Sequence, residues 1–345
     1  MTEPKIKVAL LTGGDSSERA VCFMSAKAMA NALPRDRYAV TIFDVSTPAT
    51  RAADPALGEN MLGKKPQHAI ANVEWNQLIT TLYTTGFDVA LLALHGGWGE
   101  DGTIQALLQV AGIPYTGSSP HTSAIAIDKR ASKALVSSLG IPTPQGQVMW
   151  SLDEFDAAPR DSFFFGSACV VKPNGGGSSV GVTIFQQAPD QSTLRAAVEA
   201  SLNDGNGALI EEFIAGQEIT ASVLGEGTQV QALPLIEIVP QQGAEFYDFQ
   251  AKYAPGGSLH LMPPRLDEAV QETIRNYAVQ AHRALGCRGV ARSDFMVTAA
   301  GEAYYLETNT LPGMTETSLV PDAARAAGSS FEELVENLIQ TALQR

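Results

Sequence analysis

Val290-Ala291-Arg292-Ser293-Asp294-Phe295-Met296-Val297 reads as a β-strand, and Ala303-Tyr304-Tyr305-Leu306-Glu307 as a second strand, with Asn309 just beyond it. Gly301 and Glu302 between them suit a tight turn, so the stretch is a hairpin. Residues two apart share a face of a strand. Arg292 and Asp294 therefore point the same way, as do Glu307 and Asn309. Two carboxylates and an amide oxygen converge beside an arginine. Hard oxygen donors of this kind suit Mg²⁺, which is usually held by one or two carboxylates together with substrate phosphates. The alternative is a solvated hairpin face whose charges pair with each other.

A second motif favours the phosphate reading. Val170-Val171-Lys172-Pro173-Asn174-Gly175-Gly176-Gly177-Ser178-Ser179-Val180-Gly181 is a short apolar strand ending in a lysine, followed by a glycine-rich loop. Glycines let backbone N–H groups approach an anion, and successive N–H groups form an anion-binding concavity. In a Walker loop the lysine follows the glycines; here it precedes them. A dinucleotide fingerprint opens a helix with G-x-G-x-x-G, which this is not. The chain also has no histidine-arginine-aspartate catalytic loop of the protein-kinase kind. A flexible hairpin loop is the bland alternative. The strand-end lysine and the separate Mg²⁺-type cluster together point to ATP.

Composition narrows the field. A chain of 345 residues predicts two or three domains with a large core. With 45% hydrophobic and 17% charged residues it is a folded protein rather than a disordered one. Its net charge of −14 disfavours nucleic acid or an anionic membrane as partner, since both reward basic patches. Cys22, Cys169 and Cys287 are odd in number, far apart and show no C-x-x-C. That pattern argues against disulfides or zinc and for a reducing, cytoplasmic setting, with buried structural thiols at Cys22 and Cys169. No signal-peptide core and no run of transmembrane length is visible.

The first third alternates strands and helices: strands at 8–12, 38–45, 89–94 and 113–115, helices at 17–32 and 103–110. Ser17 is the expected cap of the first helix. This is a doubly wound α/β pattern with a parallel sheet. Residues 49–72 show no period and read as an insertion or long loop. A helix at 128–139 follows, then a smaller α+β unit to about residue 210 with a helix near 192–203. Beyond Glu218 the pattern is strand-rich, with a long irregular segment at 240–258 of the sort that forms lids or binding loops. Helices near 267–285, 318–327 and 331–343 complete the chain.

Taken in order, these motifs resemble the D-alanine–D-alanine ligase family of the ATP-grasp superfamily, over nearly the whole chain. The matching stretches are Gly13-Gly14 through Ser17-Glu18-Arg19, Leu94-His95-Gly96 through Gly99-Glu100-Asp101-Gly102-Thr103, Asp128-Lys129, Lys172-Pro173 and residues 177–181. They continue with Glu211, Glu218, Phe246-Tyr247-Asp248, Ala251-Lys252-Tyr253, Arg292, Asp294, Glu307, Asn309, Pro312-Gly313-Met314-Thr315 and Ser318-Leu319. The resemblance implies an N-terminal α/β domain at 1–127, followed by two α+β domains, 128–213 and 214–345, that sandwich ATP beneath a lid at about 240–258.

It also implies the activity: ATP-dependent joining of two D-alanines through an acyl phosphate, for peptidoglycan precursors, by a homodimer. Lys129, Lys172 and Ser179 would contact the nucleotide phosphates and Lys252 the γ-phosphate. Glu211 would lie near the adenine and Glu218 at the ribose. Asp294, Glu307 and Asn309 would carry two Mg²⁺ or Mn²⁺ ions. Glu18 would hold the first D-alanine's ammonium. Arg292 and the Gly313 N–H would stabilise the oxyanion, an effect of ~3 kcal/mol per donor. Ser318 and the Leu319 N–H would anchor the second carboxylate. His95 would lie near the incoming amine, and Glu18, Ser178 and Tyr253 would form a hydrogen-bonded set. Each side chain also has a plain reading: Glu18 as a first-turn helix acid, His95 as a satisfied strand-end histidine, Ser318 as a helix cap.

Departures fall at Cys22, where the family usually has serine, at Gly97-Trp98, and at Phe249-Gln250 in the lid. A D-alanine–D-lactate or other dipeptide ligase is the nearest alternative, with Tyr253 as discriminator. A nucleotide or amino-acid sensor is the alternative from another class, and it would not need the metal-type set.

Overall fold

The computed structural model describes residues 4–62, 68–177, 181–204, 206–240 and 258–345. It opens with β1 (Ile6–Gly13), α1 (Arg19–Ala32), β2 (Tyr38–Val45), α2 (Pro48–Ala53), α3 (Leu57–Leu62), β3 (Ala69–Val73), α4 (Trp75–Thr85) and β4 (Val89–Leu92). The strands lie in the order β3-β2-β1-β4 and every pairing is parallel. Both faces of such a sheet are covered, which is why residues 8–11 and 89–92 are uniformly apolar. Val8 and Leu10 pack towards Phe23 and Met29 of α1, whereas Ala9 and Leu11 face Leu78, Leu82 and Leu108.

Two local readings need correction. Residues 49–72 are not structureless: they hold most of α2, all of α3 and most of the edge strand β3. Pro48 at the first helical turn and Thr47, whose hydroxyl accepts from the Thr50 N–H at 3.3 Å, start α2 as expected for a capped helix. Elements of five or six residues are too short to show a period, so the pattern missed them. Secondly, the cap residue of α1 is Glu18 rather than Ser17, and no side chain caps that helix. Residues 113–115 contribute only an isolated bridge, Ala90 to Tyr115.

After α5 (Thr103–Val110) and α6 (Pro120–Ile127) comes α7 (Lys129–Ser137), capped by Asp128, whose carboxylate accepts from the Ala131 N–H at 2.8 Å. A cap of this kind contributes ~1 kcal/mol. Next come β5 (Gly146–Met149), α8 (Leu152–Asp156), β6 (Cys169–Pro173), β7 (Thr183–Phe185), α9 (Gln191–Asp204) and β8 (Ala208–Glu212). These strands form an antiparallel sheet in the order β5-β8-β6-β7, with Leu194 and Val198 of α9 packed on Val171 and Ile210.

The last unit comprises β9 (Gln217–Glu226), β10 (Gln229–Ala232), β11 (Ile236–Pro240), β12 (Ser258–Leu261), α10 (Glu268–Leu285), β13 (Val290–Val297), β14 (Ala303–Asn309), α11 (Leu319–Ala326) and α12 (Phe331–Leu343). Its strands run β12-β11-β9-β13-β14, with β10 on β9, all antiparallel. Ile274, Ala278 and Ala281 of α10 bury against Ile219, Phe295 and Tyr305. The final helices, α11 and α12, return to the first sheet: Val320, Leu338 and Ile339 share a core with Val8 and Leu10. The chain therefore closes on itself. All three cysteines are free and buried. The 240–258 lid expectation falls almost entirely on residues outside those described.

The hairpin has the expected shape. Gly301 adopts φ +83° in the turn, and its N–H donates to Thr298 O at 2.9 Å. Asp294 pairs in register with Glu307, and Arg292 with Asn309. A bulge between Asp294 and Phe295 shifts the register just there, which re-aims side chains at a sheet face.

Candidate active site

A cleft of about 1020 Å³ runs between the β6–β8 sheet and the β9–β13 sheet, with the β1–α1 loop at one end. Its wall brings together Glu18, Lys129, Lys172, Glu211, Glu218, Asp294 and Glu307, with Gly175, Gly176 and Gly177 alongside. Seven of the candidates drawn from separate parts of the sequence thus face one space. A smaller adjoining pocket is lined by Glu100, Lys129, Glu307 and Asn309. Ser178, Ser179, Lys252 and Tyr253 lie outside the described residues. Arg292, Gly313, Ser318, Leu319 and His95 are not part of the cleft wall; Arg292 bonds the lining residue Asp294 and the His95 carbonyl the lining residue Ser16.

Asp294 and Glu307 are charge-matched. Arg292 donates to both oxygens of Asp294, Nε to Oδ1 at 2.9 Å and Nη2 to Oδ2 at 2.8 Å, and Thr220 Oγ1 donates to Oδ1 at 2.6 Å. Lys129 Nζ lies 3.2 Å from Glu307 Oε2 and donates to Gly176 O at 2.6 Å, tying α7 to the glycine-rich loop. Asn309 Oδ1 accepts from the Leu311 N–H at 2.8 Å, turning the chain after β14. Two carboxylates in register with an amide oxygen two residues on give a hard-oxygen donor set on one strand pair. That set fits a Mg²⁺-type cation, with the nearby ammonium and guanidinium balancing the acids.

Behind the cleft is a cluster the sequence reading only half anticipated. Lys172 Nζ meets Glu211 Oε2 at 2.7 Å, and Lys133 Nζ bonds the other oxygen, Oε1. All three are buried. Burial opposes the charge on Lys172, but Glu211 and Glu307 outweigh it and hold the ammonium above the ordinary lysine range. Burial likewise opposes the Glu211 carboxylate, and the two lysines outweigh it and pull its pKa down. Lys133 is brought down to about 8 by burial, with Lys172 adding to the effect against the attraction of Glu211. The sequence signal for Lys133 was its position four residues after Lys129, which puts both on one helix face.

At the other end, Ser16 Oγ donates to His95 O at 2.6 Å and accepts from the Glu18 N–H at 3.2 Å. Gly96 adopts φ +68°, and a Cβ there would lie 2.9 Å from Glu18 Oε2. His95 is buried, with Nδ1 3.0 Å from Leu311 O and Nε2 2.9 Å from Ser25 Oγ. Facing a carbonyl, Nδ1 carries the proton. Burial works against a charged ring, but Glu100 and Glu18 overcome it and raise the His95 pKa; burial raises that of Glu100. Ser25 Oγ also accepts from the Met314 N–H at 3.3 Å, so α1 is linked to the segment carrying Gly313. Ser318 begins α11 without capping it: its hydroxyl accepts from the Thr315 N–H at 3.0 Å.

The departures find places too. Cys22 Sγ accepts from the His95 N–H at 3.1 Å, and the exposed Trp98 meets Trp75 edge-on at 5.2 Å. Phe249 and Gln250 lie outside the described residues. The sequence reading also passed over Glu237, a buried acid in the apolar strand β11 that lines the cleft and meets Arg265 at 2.5 Å.

A glycine-rich loop and strand-end lysine opposite an acidic hairpin, between two antiparallel sheets and behind a parallel-sheet unit, define an ATP-grasp ligase. Residues 7–118 match the family model for the D-ala D-ala ligase N-terminus, and residues 135–340 the one for its C-terminus. The chain belongs to the D-alanine–D-alanine ligase family. It is 42% identical to the D-alanine–D-alanine ligase of Desulforudis audaxviator, over 98% of this chain and 99% of that one. Among solved structures it resembles the VanG D-Ala:D-Ser ligase of Enterococcus faecalis (TM-score 0.78, 26% identity, 98% of this chain and 100% of that one). It also resembles the Bacillus anthracis D-alanine–D-alanine ligase complexed with ATP (TM-score 0.72, 28% identity, 98% and 97%).

Proposed function

We propose that the protein joins two D-alanines in an ATP-dependent, ADP-forming reaction. The observation that carries this reading is the in-register pair Asp294–Glu307 facing Lys129, Lys172 and the glycine-rich loop across one cleft. A carboxylate is a poor electrophile. Transfer of the γ-phosphoryl group to a carboxylate oxygen of the first D-alanine releases ADP and makes an acyl phosphate. The second amine attacks the carbonyl carbon, and the tetrahedral intermediate expels phosphate as the C–N bond is kept and the amine proton leaves.

Phosphoryl transfer needs charge neutralisation and alignment rather than covalent help. In this reading Lys129 and Lys172, with Ser179 and Lys252, hold the phosphates. Glu218 takes the ribose, and Glu18 orients the first ammonium. Arg292 and the Gly313 N–H face the developing oxyanion, Ser318 and the Leu319 N–H anchor the second carboxylate, and His95 lies near the incoming amine. Asp294, Glu307 and Asn309 would hold two Mg²⁺ or Mn²⁺ ions, which when bound neutralise charge on the phosphates. Glu18, Ser178 and Tyr253 form the set that chooses the second substrate. Units 1–127, 128–213 and 214–345, with a lid at about 240–258, complete the reading, as do a homodimeric state and a place in the cytoplasm. Among the described residues no helix is long and apolar enough to cross a membrane.

Phosphate release with ATP, Mg²⁺ and D-alanine, D-lactate or D-serine as acceptors, with products identified by mass, tests the reading. D-alanyl-D-alanine is the expected main product. ADP release without dipeptide would sink the proposal.

A further inference from the structure

Lys172 and Glu211 line the cleft; Lys133 is not part of that wall. Yet Lys133 takes Glu211 Oε1 while Lys172 takes Oε2. Two ammonium groups thus share one carboxylate, and the trio carries a net single positive charge. Were Lys133 neutral, Lys172 and Glu211 would form a closed ion pair of no net charge. Its field at the cleft would be that of a dipole, which falls off faster than that of a charge. A triphosphate needs the charge.

We propose that Lys133 is a positioning residue for ATP: by neutralising Glu211 from behind, it leaves Lys172 presented to the cleft as an unbalanced cation. The proposal rests on the ATP-dependent ligase reading and deepens it. The geometry supports a division of labour along α7. Lys129, one turn earlier, reaches the glycine-rich loop and Glu307, on the cleft side. Lys133 points to β8 and never reaches the ligand space. Both oxygens of Glu211 are engaged, so this acid serves the lysines as their template, whatever else it touches. A different carboxylate partner would not serve: β6 and β8 are adjacent and antiparallel, with Val170 opposite Glu211, and this register sets Lys172 and Glu211 within reach of each other.

A purely structural ion pair would affect stability alone, so the test separates the two roles. Lys133→Met should raise KM for ATP by roughly tenfold or more, because Lys172 and Glu211 then close into a neutral pair, with KM for D-alanine within about twofold. Lys133→Arg, which keeps the charge, should recover most of the ATP affinity. The double variant Lys133→Met/Glu211→Gln also leaves Lys172 unbalanced. It should bind ATP better than Lys133→Met alone, a non-additivity that a local packing defect does not produce. Equilibrium binding of ATP and Mg²⁺ by calorimetry gives the same ranking without turnover. If Lys133→Met is unstable, the arginine variant, which keeps the charge at Glu211, carries the comparison with the wild type. An unchanged ATP affinity in folded Lys133→Met, or strict additivity in the double variant, overturns the proposal. A wild-type protein that binds ATP but makes no dipeptide overturns the ligase reading instead and leaves this one standing.

Discussion

Arg19 grips both oxygens of Asp44 at 2.9 and 2.8 Å, and Arg292 grips both oxygens of Asp294 at 2.9 and 2.8 Å. The two forks are nearly superimposable in their distances and similarly buried, yet their surroundings differ. Arg19 also donates to Gly14 O at 3.1 Å, and Asp44 accepts from Ser46 at 3.0 Å. Gly13 sits against this pair with φ +86°, where a Cβ would lie 2.1 Å from Asp44 Oδ1. That pair is a closed lock holding the β1–α1 loop. Asp294 instead lines the cleft beside Glu307, across from Lys129 and Lys172. A two-point arginine–aspartate pair, end-on through Nη1 and Nη2 at Arg19 and side-on through Nε and Nη2 at Arg292, therefore serves stability in the first place and keeps ligand oxygens ready in the second. What decides is whether a second acid and an open volume stand beside it.

The largest effect is expected at the open site. Glu307→Gln keeps the shape of the side chain but removes a charge that cations and phosphates need. Turnover should fall by more than about 100-fold, the upper range for perturbing the surroundings of a metal ligand. The melting temperature should fall only slightly, because the Lys129 ammonium that loses Glu307 still donates to Gly176 O. Normal turnover at moderate Mg²⁺ would reduce the hairpin to a solvated face and erase the contrast.

At the closed lock the signs reverse. Asp44→Asn leaves the Arg19 guanidinium buried without its counter-charge, a change that costs about 3–5 kcal/mol. The denaturation midpoint should shift strongly, while kcat measured well below the transition stays near that of the wild type. A large loss of kcat at unchanged midpoint would show the lock to be part of the chemistry.

This contrast also explains what could be read from the sequence. The hairpin was legible because alternation of period two and a turn glycine fix which side chains share a face, so Arg292, Asp294, Glu307 and Asn309 could be placed together. The Lys172 loop was legible because a strand-end lysine and a glycine run are contiguous. Lys133 was not: a helix was expected there, but which of its lysines meets Glu211 depends on the pairing of β5, β8 and β6, which no local pattern encodes. Glu237 hid inside an apolar strand. The elements at 48–73 were too short for a period. Ser25 reads as one more small residue of an amphipathic helix until the return of the chain end brings Met314 to it.

Ser25 offers a smaller test, since it joins the two ends of the chain. Ser25→Ala removes the partner of the Met314 N–H and of His95 Nε2 together. Leaving such buried groups unpaired costs about 1–3 kcal/mol. If the hydroxyl positions the 313–319 segment, kcat and KM for D-alanine should change while KM for ATP does not. A loss confined to stability would make Ser25 part of the lock rather than of the site.

A third pair stands between the two and gives the smallest effect. Glu237 is buried in the cleft wall, but its partner Arg265 is 64% exposed at the side chain. Burial opposes the Glu237 charge, and hydrogen bonds from the Arg265 side chain and backbone and from Gln217 outweigh it, taking the pKa down from 4.5 to about 2. A carboxylate with a depressed pKa in the folded state contributes stability that is fully present above its unfolded value. That contribution is lost as pH falls through the folded value. The window is therefore about pH 4.5 to 2. Solvent screening around Arg265 keeps the contribution modest. Glu237→Gln should lower the melting temperature slightly at neutral pH, and the gap to the wild type should shrink steadily below pH 4.5 and close near pH 2. Taking the difference of the two curves removes every other acid that titrates in the same range. A gap that stays constant on acidification would mean that Glu237 stabilises the fold through packing and neutral hydrogen bonds, and the pair would then belong with neither the closed lock nor the open site.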